Sequence, residues 1–176
     1  MANVMTAKDA VSGSLAECFV TVNDERYNFM QLINFEAKWT MNISEIPILG
    51  KVSKGHKPSG GSGEFSGTMH FNQSVMRELM LHYKNTGEVF YFDVQVTNED
   101  PTSAVGRQTV ILRDCLIEGG ILAKFDADAE YLDEEISGTF EDWDMPEKFS
   151  GLDGMQQGVK DEYDTDRIFS GKRRSD

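Results

Sequence analysis

The stretch that decides the fold is residues 89–112, VFYFDVQVTNEDPTSAVGRQTVIL. Apolar and polar side chains alternate on both sides of its centre, and a period of two is typical of half-buried β-strands. Asp100-Pro101-Thr102-Ser103 separates the two halves and places proline where a type I turn accepts it. The stretch therefore predicts a hairpin of two long strands.

The same alternation recurs along most of the chain and predicts a mainly β fold. It is clearest over residues 35–44, where the apolar members share one face that we expect to be core, and the polar members share the other. That apolar set is Phe35, Ala37, Trp39, Met41 and Ile43. Strands are expected over residues 17–22, 26–31, 35–44, 64–71, 90–97, 107–117, 121–129 and 132–142.

Two segments depart from this period. Residues 74–85 predict the one helix, with Ser74 as N-cap and Gly87 at the exit. Residues 49–63, LGKVSKGHKPSGGSG, contain five glycines, a proline and three lysines without apolar periodicity, and predict a long loop. Loops of this length are usually functional or mobile. The residues therefore predict a mainly β fold with one flanking helix.

Length and charge limit the classes of function. A chain of 176 residues suits one domain with a core, expected over residues 1–149, followed by a polar extension over residues 150–176. The net charge of −13 argues against a grip on phosphate backbones, although it would let DNA slide past without sticking. The simpler interpretation is that the acidity keeps the protein soluble. No stretch reaches the roughly 18 apolar residues of a membrane span, so we expect no membrane binding.

No motif assembles a catalytic, cofactor or metal site. His56, His70 and His82 have no zinc-ligand spacing. Residues 50–57, GKVSKGHK, fail the phosphate-loop pattern, and the DADAE at residues 126–130 lacks the glycine of a calcium loop. A Ser–His–Asp site stays open, because its members come from distant positions. We expect no enzyme, no cofactor and no metal, and we expect both cysteines to be small buried residues.

Acidic residues are concentrated near the end of the predicted domain. Residues 126–144 contain nine carboxylates and no lysine or arginine. The simplest interpretation is a solvated face. The alternative is an acidic surface kept for a lumen or for the basic patch of a partner.

Blocks of residues between 32 and 149 resemble the tube proteins of contractile phage tails and of PBSX-type particles. The order and number of these blocks are more specific than any one of them. The blocks are residues 48–51 (ILGK), 55–57 (GHK), 63–69 (GEFSGTM), 86–87 (TG), 91–93 (YFD), 98–103 (NEDPTS), Gly106, 108–110 (QTV), 122–128 (LAKFDAD), 132–135 (LDEE) and 139–142 (TFED).

The resemblance implies an antiparallel β-sandwich or partial barrel with one flanking helix. It also implies a structural subunit that forms hexameric rings stacked into a hollow tube, the conduit for DNA. The implied partners are copies of itself, the tail sheath protein, the baseplate and tail terminator proteins, and, transiently in the lumen, the tape measure protein and DNA. The implied location is the virion tail tube, assembled in the host cytoplasm. A bacteriocin or type VI-like inner tube is the alternative within the class, and a monomeric β-sandwich ligand-binding module is the alternative outside it.

Three sets of residues are candidates for assembly. The set expected to line the lumen is Lys38, Thr40, Asn42, Ser66, Thr68, His70, Asp126, Asp128 and Glu130. The set expected to contact the next ring is Gly50, Lys51, Lys54, Gly55, His56 and Lys57. The set expected to form an interface turn is Asp100, Pro101, Thr102, Ser103 and Arg107.

Overall fold

A computed structural model describes Ala7, residues 10–29 and residues 32–150 of the chain. The predicted C-terminal extension therefore lies outside the described residues, apart from Ser150. Within the described part, the elements are a short 3-10 helix Gly13–Leu15, β1 Glu17–Val22, β2 Glu25–Asn28, β3 Leu32–Ile46, β4 Gly55–His70, α1 Val75–Thr86, β5 Phe92–Glu99, β6 Arg107–Gly120, β7 Asp133–Phe140 and β8 Asp142–Glu147. The eight strands form one antiparallel sheet in the order β2-β1-β5-β6-β7-β4-β3, and β8 pairs with β6.

The predicted class, mainly β with one helix, is confirmed. The strand order runs from β2 at one edge to β3 at the other, so the sheet is open. The hairpin predicted from residues 89–112 is present as β5 and β6, and the helix begins and ends within one residue of its predicted limits. Gly87 ends the helix in the left-handed conformation that glycine adopts without strain.

The described residues fall into two compact units. We call residues 7, 10–16, 97–109 and 146–150 the turn unit, and residues 17–29, 32–96 and 110–145 the sheet unit. The core belongs to the sheet unit, where Phe65 and Met69 of β4 pack with Phe92 of β5 and Ile136 of β7. Cys18 and Cys115 lie in the same core as free thiols, which confirms the prediction that both are small buried residues.

A buried ion pair ties α1 to the sheet. The Arg77 guanidinium donates to the Glu134 carboxylate of β7 at 2.7 Å and, through Nε, to the Ile121 carbonyl at 3.0 Å. It also donates to the Gln73 carbonyl and stacks 4.0 Å from the centre of the Phe71 ring. The charge of Glu134 is thus compensated inside the protein, as a buried charge requires.

The prediction of a loop over residues 49–63 is wrong beyond residue 54. Residues 55–63 form the first half of β4, paired with β3 from Ile46↔Gly55 to Trp39↔Gly63. The glycines have a steric reason, since a Cβ at Gly61 would collide with the Trp39 ring, and one at Gly63 would lie 2.5 Å from Phe140 Cζ. Bare glycine backbone allows aromatic rings of neighbouring strands to lie over it.

The prediction that residues 121–129 form a strand is wrong. The chain from residue 121 to residue 132 is irregular and connects β6 to β7. Three of its supposed apolar positions are alanines, which bury little surface, and Phe125 is 89% exposed. The alternation here therefore reflects composition, and no packing holds the segment extended.

The expectation that the whole apolar face of β3 is core is also wrong. Phe35 packs against the core, stacked on Phe65 with ring centroids 5.8 Å apart. Farther along the strand, Trp39, Met41 and Ile43 are 42%, 52% and 63% exposed. The periodicity identified the shared face correctly, but the protein covers only its first part.

Candidate assembly surfaces

A polar face runs across β3, β4 and β7. Directly opposed residues of antiparallel strands share a face, and the register pairs Lys38 with Glu64, Thr40 with Ser62 and Thr68 with Glu135. This register places Lys38, Thr40, Ser66, Thr68 and His70 on one face of the sheet. That the face lines a lumen stays a prediction.

Short contacts within the polar face mix charges and hydroxyls. Lys38 Nζ lies 2.9 Å from Glu36 Oε1, and this carboxylate raises the pKa of the lysine. His70 Nδ1 lies 3.3 Å from Asp133 Oδ1 across the β4–β7 pair. A register shift between Met41 and Ile43 interrupts the pairing at Asn42, whose carbonyl accepts from Ser59 Oγ at 3.3 Å.

The segment between β3 and β4, together with the first three residues of β4, exposes apolar and basic side chains together. We call these residues, 47–57, the basic turn. Leu49 and Val52 are fully exposed, and Gly50 has a φ of 80°, which favours glycine. Lys54 Nζ lies 2.5 Å from Glu45 Oε2, which braces the turn against β3. The predicted inter-ring residues are split, since Gly50, Lys51 and Lys54 precede β4 while Gly55, His56 and Lys57 are its first residues.

The segment between β6 and β7 carries mainly acidic side chains, in contrast to the basic turn. We call residues 121–132 the acidic loop. It carries Asp126, Asp128 and Glu130, which were predicted to lie on a strand facing the lumen, and the loop conformation removes that strand-face argument. The Asp126 carboxylate accepts from the Asp128 amide at 3.1 Å. Leu122 and Phe125 project from the loop at 73% and 89% exposure.

The predicted interface turn is built around Asp100 in the turn unit. The Asp100 carboxylate is buried and accepts from Thr102 Oγ1 at 2.6 Å, from the Thr102 amide at 2.9 Å and from the Ser12 amide at 2.9 Å. Asp100 is therefore a structural residue that holds its own turn. Arg107 Nε, by contrast, is half exposed and lies 3.0 Å from Glu147 Oε2.

These hydrogen bonds make the turn unit sensitive to acid. The Thr102 hydroxyl, then the Ser12 and Thr102 amides, lower the pKa of Asp100 from its ordinary value of 3.8. A carboxyl whose pKa is lower in the folded state stabilises that state fully above its unfolded pKa, and the stabilisation is lost as the pH falls through the folded value. We expect the contribution of Asp100 to the free energy of unfolding to be constant above about pH 5 and to decline below about pH 4.

The measurement is the free energy of unfolding of the wild type and of Asp100→Asn between neutral pH and acid. The difference between the two proteins is expected to shrink as the pH falls, because the protonated aspartic acid loses the same interactions as asparagine. Asp24→Asn, at an exposed turn position, serves as control. A difference that stays constant down to the most acidic pH would contradict the assignment.

The described part of the chain holds neither a cluster of metal-ligating side chains nor a membrane-spanning helix. No group of three or more histidine, cysteine or carboxylate side chains is arranged to hold a metal ion among these residues. None of the described residues belong to a helix that is both long and apolar enough to cross a membrane. Burial raises the pKa of Cys18 and of Cys115 to about 12, so neither thiol is a reactive thiolate.

Comparison with known proteins gives the family. A family model described as phage tail tube protein matches residues 3–147. The chain belongs to this family. Its role is that of a structural subunit of a tail tube, and this favours a non-enzymatic function. The resemblance inferred from the sequence blocks is thereby confirmed.

Two curated relatives of this tail tube protein come from Bacillus subtilis (strain 168). Phage-like element PBSX protein XkdM is 33% identical over 146 residues, which are 83% of this chain and 97% of the relative. The uncharacterized protein YqbM is 31% identical over 144 residues, which are 82% of this chain and 95% of the relative. Both similarities extend over nearly the whole of the relative.

Solved structures share the fold of the tail tube protein at low sequence identity. A chain in the cryo-EM structure of the anti-feeding prophage cap gives a TM-score of 0.61 at 11% identity, over 82% of this chain and 95% of that one. A chain in the sheath-tube complex of an extracellular contractile injection system gives 0.57 at 12% identity, over 81% and 98%. The SPP1 tail tube gives 0.56 at 9% identity, over 86% of each chain.

The structure adds residues to the candidate surfaces that the sequence did not single out. They are the exposed apolar side chains Leu49, Val52, Leu122 and Phe125, which flank the charged residues of the basic turn and of the acidic loop. An apolar residue in a charged segment is the only signal in the sequence, and it does not separate exposure from burial.

Proposed function

We propose that this protein forms hexameric rings that stack into the hollow inner tube of a contractile tail, through which DNA passes. The observation that supports this most strongly is the polar face shared by β3, β4 and β7, whose opposite face packs into the core beside Phe65 and Phe140. A sheet with one wet and one apolar face can close with its neighbours around a water-filled channel.

In this assembly the polar face lines the lumen. Lys38, Thr40, Asn42, Ser66, Thr68 and His70 are the candidates from the sequence, and Glu36, Glu64, Glu135, Ser137 and Thr139 join them through the register. The excess of acids over bases on this face repels phosphate, so a nucleic acid moves along the channel without binding to it. The tape measure protein occupies the same lumen before DNA does.

The basic turn supplies the contact between stacked rings. A fully exposed apolar pair at Leu49 and Val52 needs a covering surface, and the turn unit offers a further contact through Arg107. Outside the tube we propose the tail sheath protein as partner, and at its ends the baseplate and tail terminator proteins. The location is the virion tail tube, assembled in the host cytoplasm.

The test is negative-stain electron microscopy of the purified protein and of Leu49→Ser/Val52→Ser. Wild-type protein is expected to form rings and tubes, whereas the variant is expected to remain as rings or subunits with unchanged thermal stability, because neither side chain is packed in the monomer. Leu81→Ser, at an exposed position of α1, is the matched control and should leave tubes intact. Single particles alone in the wild type would favour a monomeric ligand-binding module instead.

A second candidate keeps the tube and changes its cargo. The relative at 33% identity belongs to a phage-like element, which favours a tube in a phage-like or bacteriocin-like particle that passes ions. Nuclease-protected DNA of genome length in purified particles would support the phage tube. If particles with complete contractile tails contain no such DNA, the second candidate is supported.

A further inference from the structure

The basic turn and the acidic loop lie at opposite ends of β4. The basic turn leads into β4 at Gly55, and the acidic loop ends at Asp133, which pairs with His70 at the other end. β4 has 16 residues. At roughly 3.3 Å per residue its ends are about 50 Å apart. The two segments therefore cannot meet within one copy of the chain.

Each segment carries two apolar side chains that are at least 73% exposed. Leu49 and Val52 project from the basic turn, and Leu122 and Phe125 project from the acidic loop. Single exposed apolar residues are ordinary, whereas larger exposed apolar patches with charged residues around them mark contact sites. Both segments therefore carry exposed apolar side chains.

Their charges are opposite. The basic turn has three lysines and no acidic residue, and Lys51 and Lys57 have no ion-pair partner among the described residues. The acidic loop has three acids against Lys124, whose ammonium donates to the Asp133 carbonyl at 2.7 Å. The negative charges of Asp128 and Glu130 are therefore complementary in sign to the positive charges of Lys51 and Lys57.

We propose that the basic turn of one copy docks on the acidic loop of the next copy, with Leu49 and Val52 against Leu122 and Phe125. The contact is heterologous, because it joins two different patches of the same chain, and it leaves a free turn at one end and a free loop at the other. Such a contact repeats without closing, along the direction of β4. The inference rests on the proposed stacking of rings and names the surface that receives the turn.

A charge exchange tests the contact. The turn variant is Lys51→Glu/Lys57→Glu, and the loop variant is Asp128→Lys/Glu130→Lys, which keeps the Asp126 hydrogen bond within the loop. Each variant alone is expected to lose at least tenfold in the mass of sedimentable tubes. An equal mixture of the two variants is expected to regain tubes. The acidic turn of the turn variant fits the basic loop of the loop variant, and the native turn of the loop variant fits the native loop of the turn variant.

Matched controls separate this contact from a general effect of charge. Lys84→Glu/Lys148→Glu and Glu78→Lys/Glu141→Lys make the same changes of net charge as the turn and loop variants, at exposed positions outside both segments, and each should change the tube mass by less than twofold. Phe125→Ser, which alters no charge, should lower the tube mass like the loop variant, and it keeps the test valid if the lysine substitutions disturb folding. Thermal unfolding of each variant establishes that its monomer is native.

The outcomes are distinct. Recovery of tubes in the mixture, with loss in each variant alone, supports the contact. If the loop variant and Phe125→Ser form tubes like the wild type while the turn variant does not, the acidic loop is not the receiving surface, and the proposed function still stands. If the wild type forms no tubes, the proposed function and this contact fail together.

Discussion

Arg77→Ala is expected to lower the free energy of unfolding by about 3–5 kcal/mol, because it leaves the Glu134 carboxylate charged and unpaired inside the protein. The side chain of Glu134 is 6% exposed and that of Arg77 is 18% exposed. The substitution also removes the bond to the Ile121 carbonyl and the stacking on Phe71. Chemical denaturation followed by circular dichroism measures the loss.

An exposed ion pair on the same sheet provides the control. Arg113 donates to Asp144 at 2.8 Å, but their side chains are 45% and 54% exposed. Arg113→Ala is expected to cost about 1 kcal/mol or less, because water screens the pair. A double variant, Arg77→Met/Glu134→Leu, should recover much of the loss, since it removes both charges at once. Equal losses for Arg77→Ala and Arg113→Ala would show that burial of the first pair is unimportant.

Gly138→Ala is expected to destabilise the sheet unit by about 1–3 kcal/mol or more, because the added methyl group has no space. A Cβ at Gly138 would collide with the Leu116 carbonyl of the neighbouring strand and lie 2.5 Å from Phe65 Cζ. The ring could move, but the carbonyl belongs to the β6–β7 ladder. Thermal unfolding and the denaturant midpoint measure the effect.

The matched control is Gly119→Ala, one strand away. A Cβ there meets no atom within 4 Å, so a change of less than about 0.5 kcal/mol is expected. Phe65→Leu combined with Gly138→Ala should rescue little, because the Leu116 carbonyl remains in place. If the shortened side chain restores full stability, the collision is with the ring alone and the argument from the ladder is wrong.

Local signals predicted the elements that depend on local physics. The helix followed from apolar spacing over residues 74–85, which places apolar side chains on one face, and from Gly87, which ends it in the left-handed conformation. The β5–β6 hairpin followed from alternation around Asp100 and Pro101. The candidate polar face could be predicted from the sequence, because side chains two residues apart lie on the same side of a strand whatever its neighbouring strands are.

The errors arose where the outcome depends on neighbours. Residues 55–63 have the composition of a loop, and only the partner strand with Trp39 explains glycine in a strand there. Residues 121–129 alternate like a strand but find no partner within the described chain. The face of Trp39 and Ile43 was expected to be core, because periodicity tells which side chains share a face and not what covers it.

The basic turn also affects how two subunits approach each other. The chain carries a net charge of −13, so two copies repel at distances within the screening length, about 8 Å at physiological ionic strength. A copy that approaches with its basic turn in front is attracted by the acidic surface of the other copy. A copy that approaches with an acidic surface in front is repelled. Electrostatic steering of this kind selects orientation during the diffusional encounter, before any side chain is desolvated. In the proposed docking of the basic turn on the acidic loop, the placement of a few lysines thus gives the growing filament a direction.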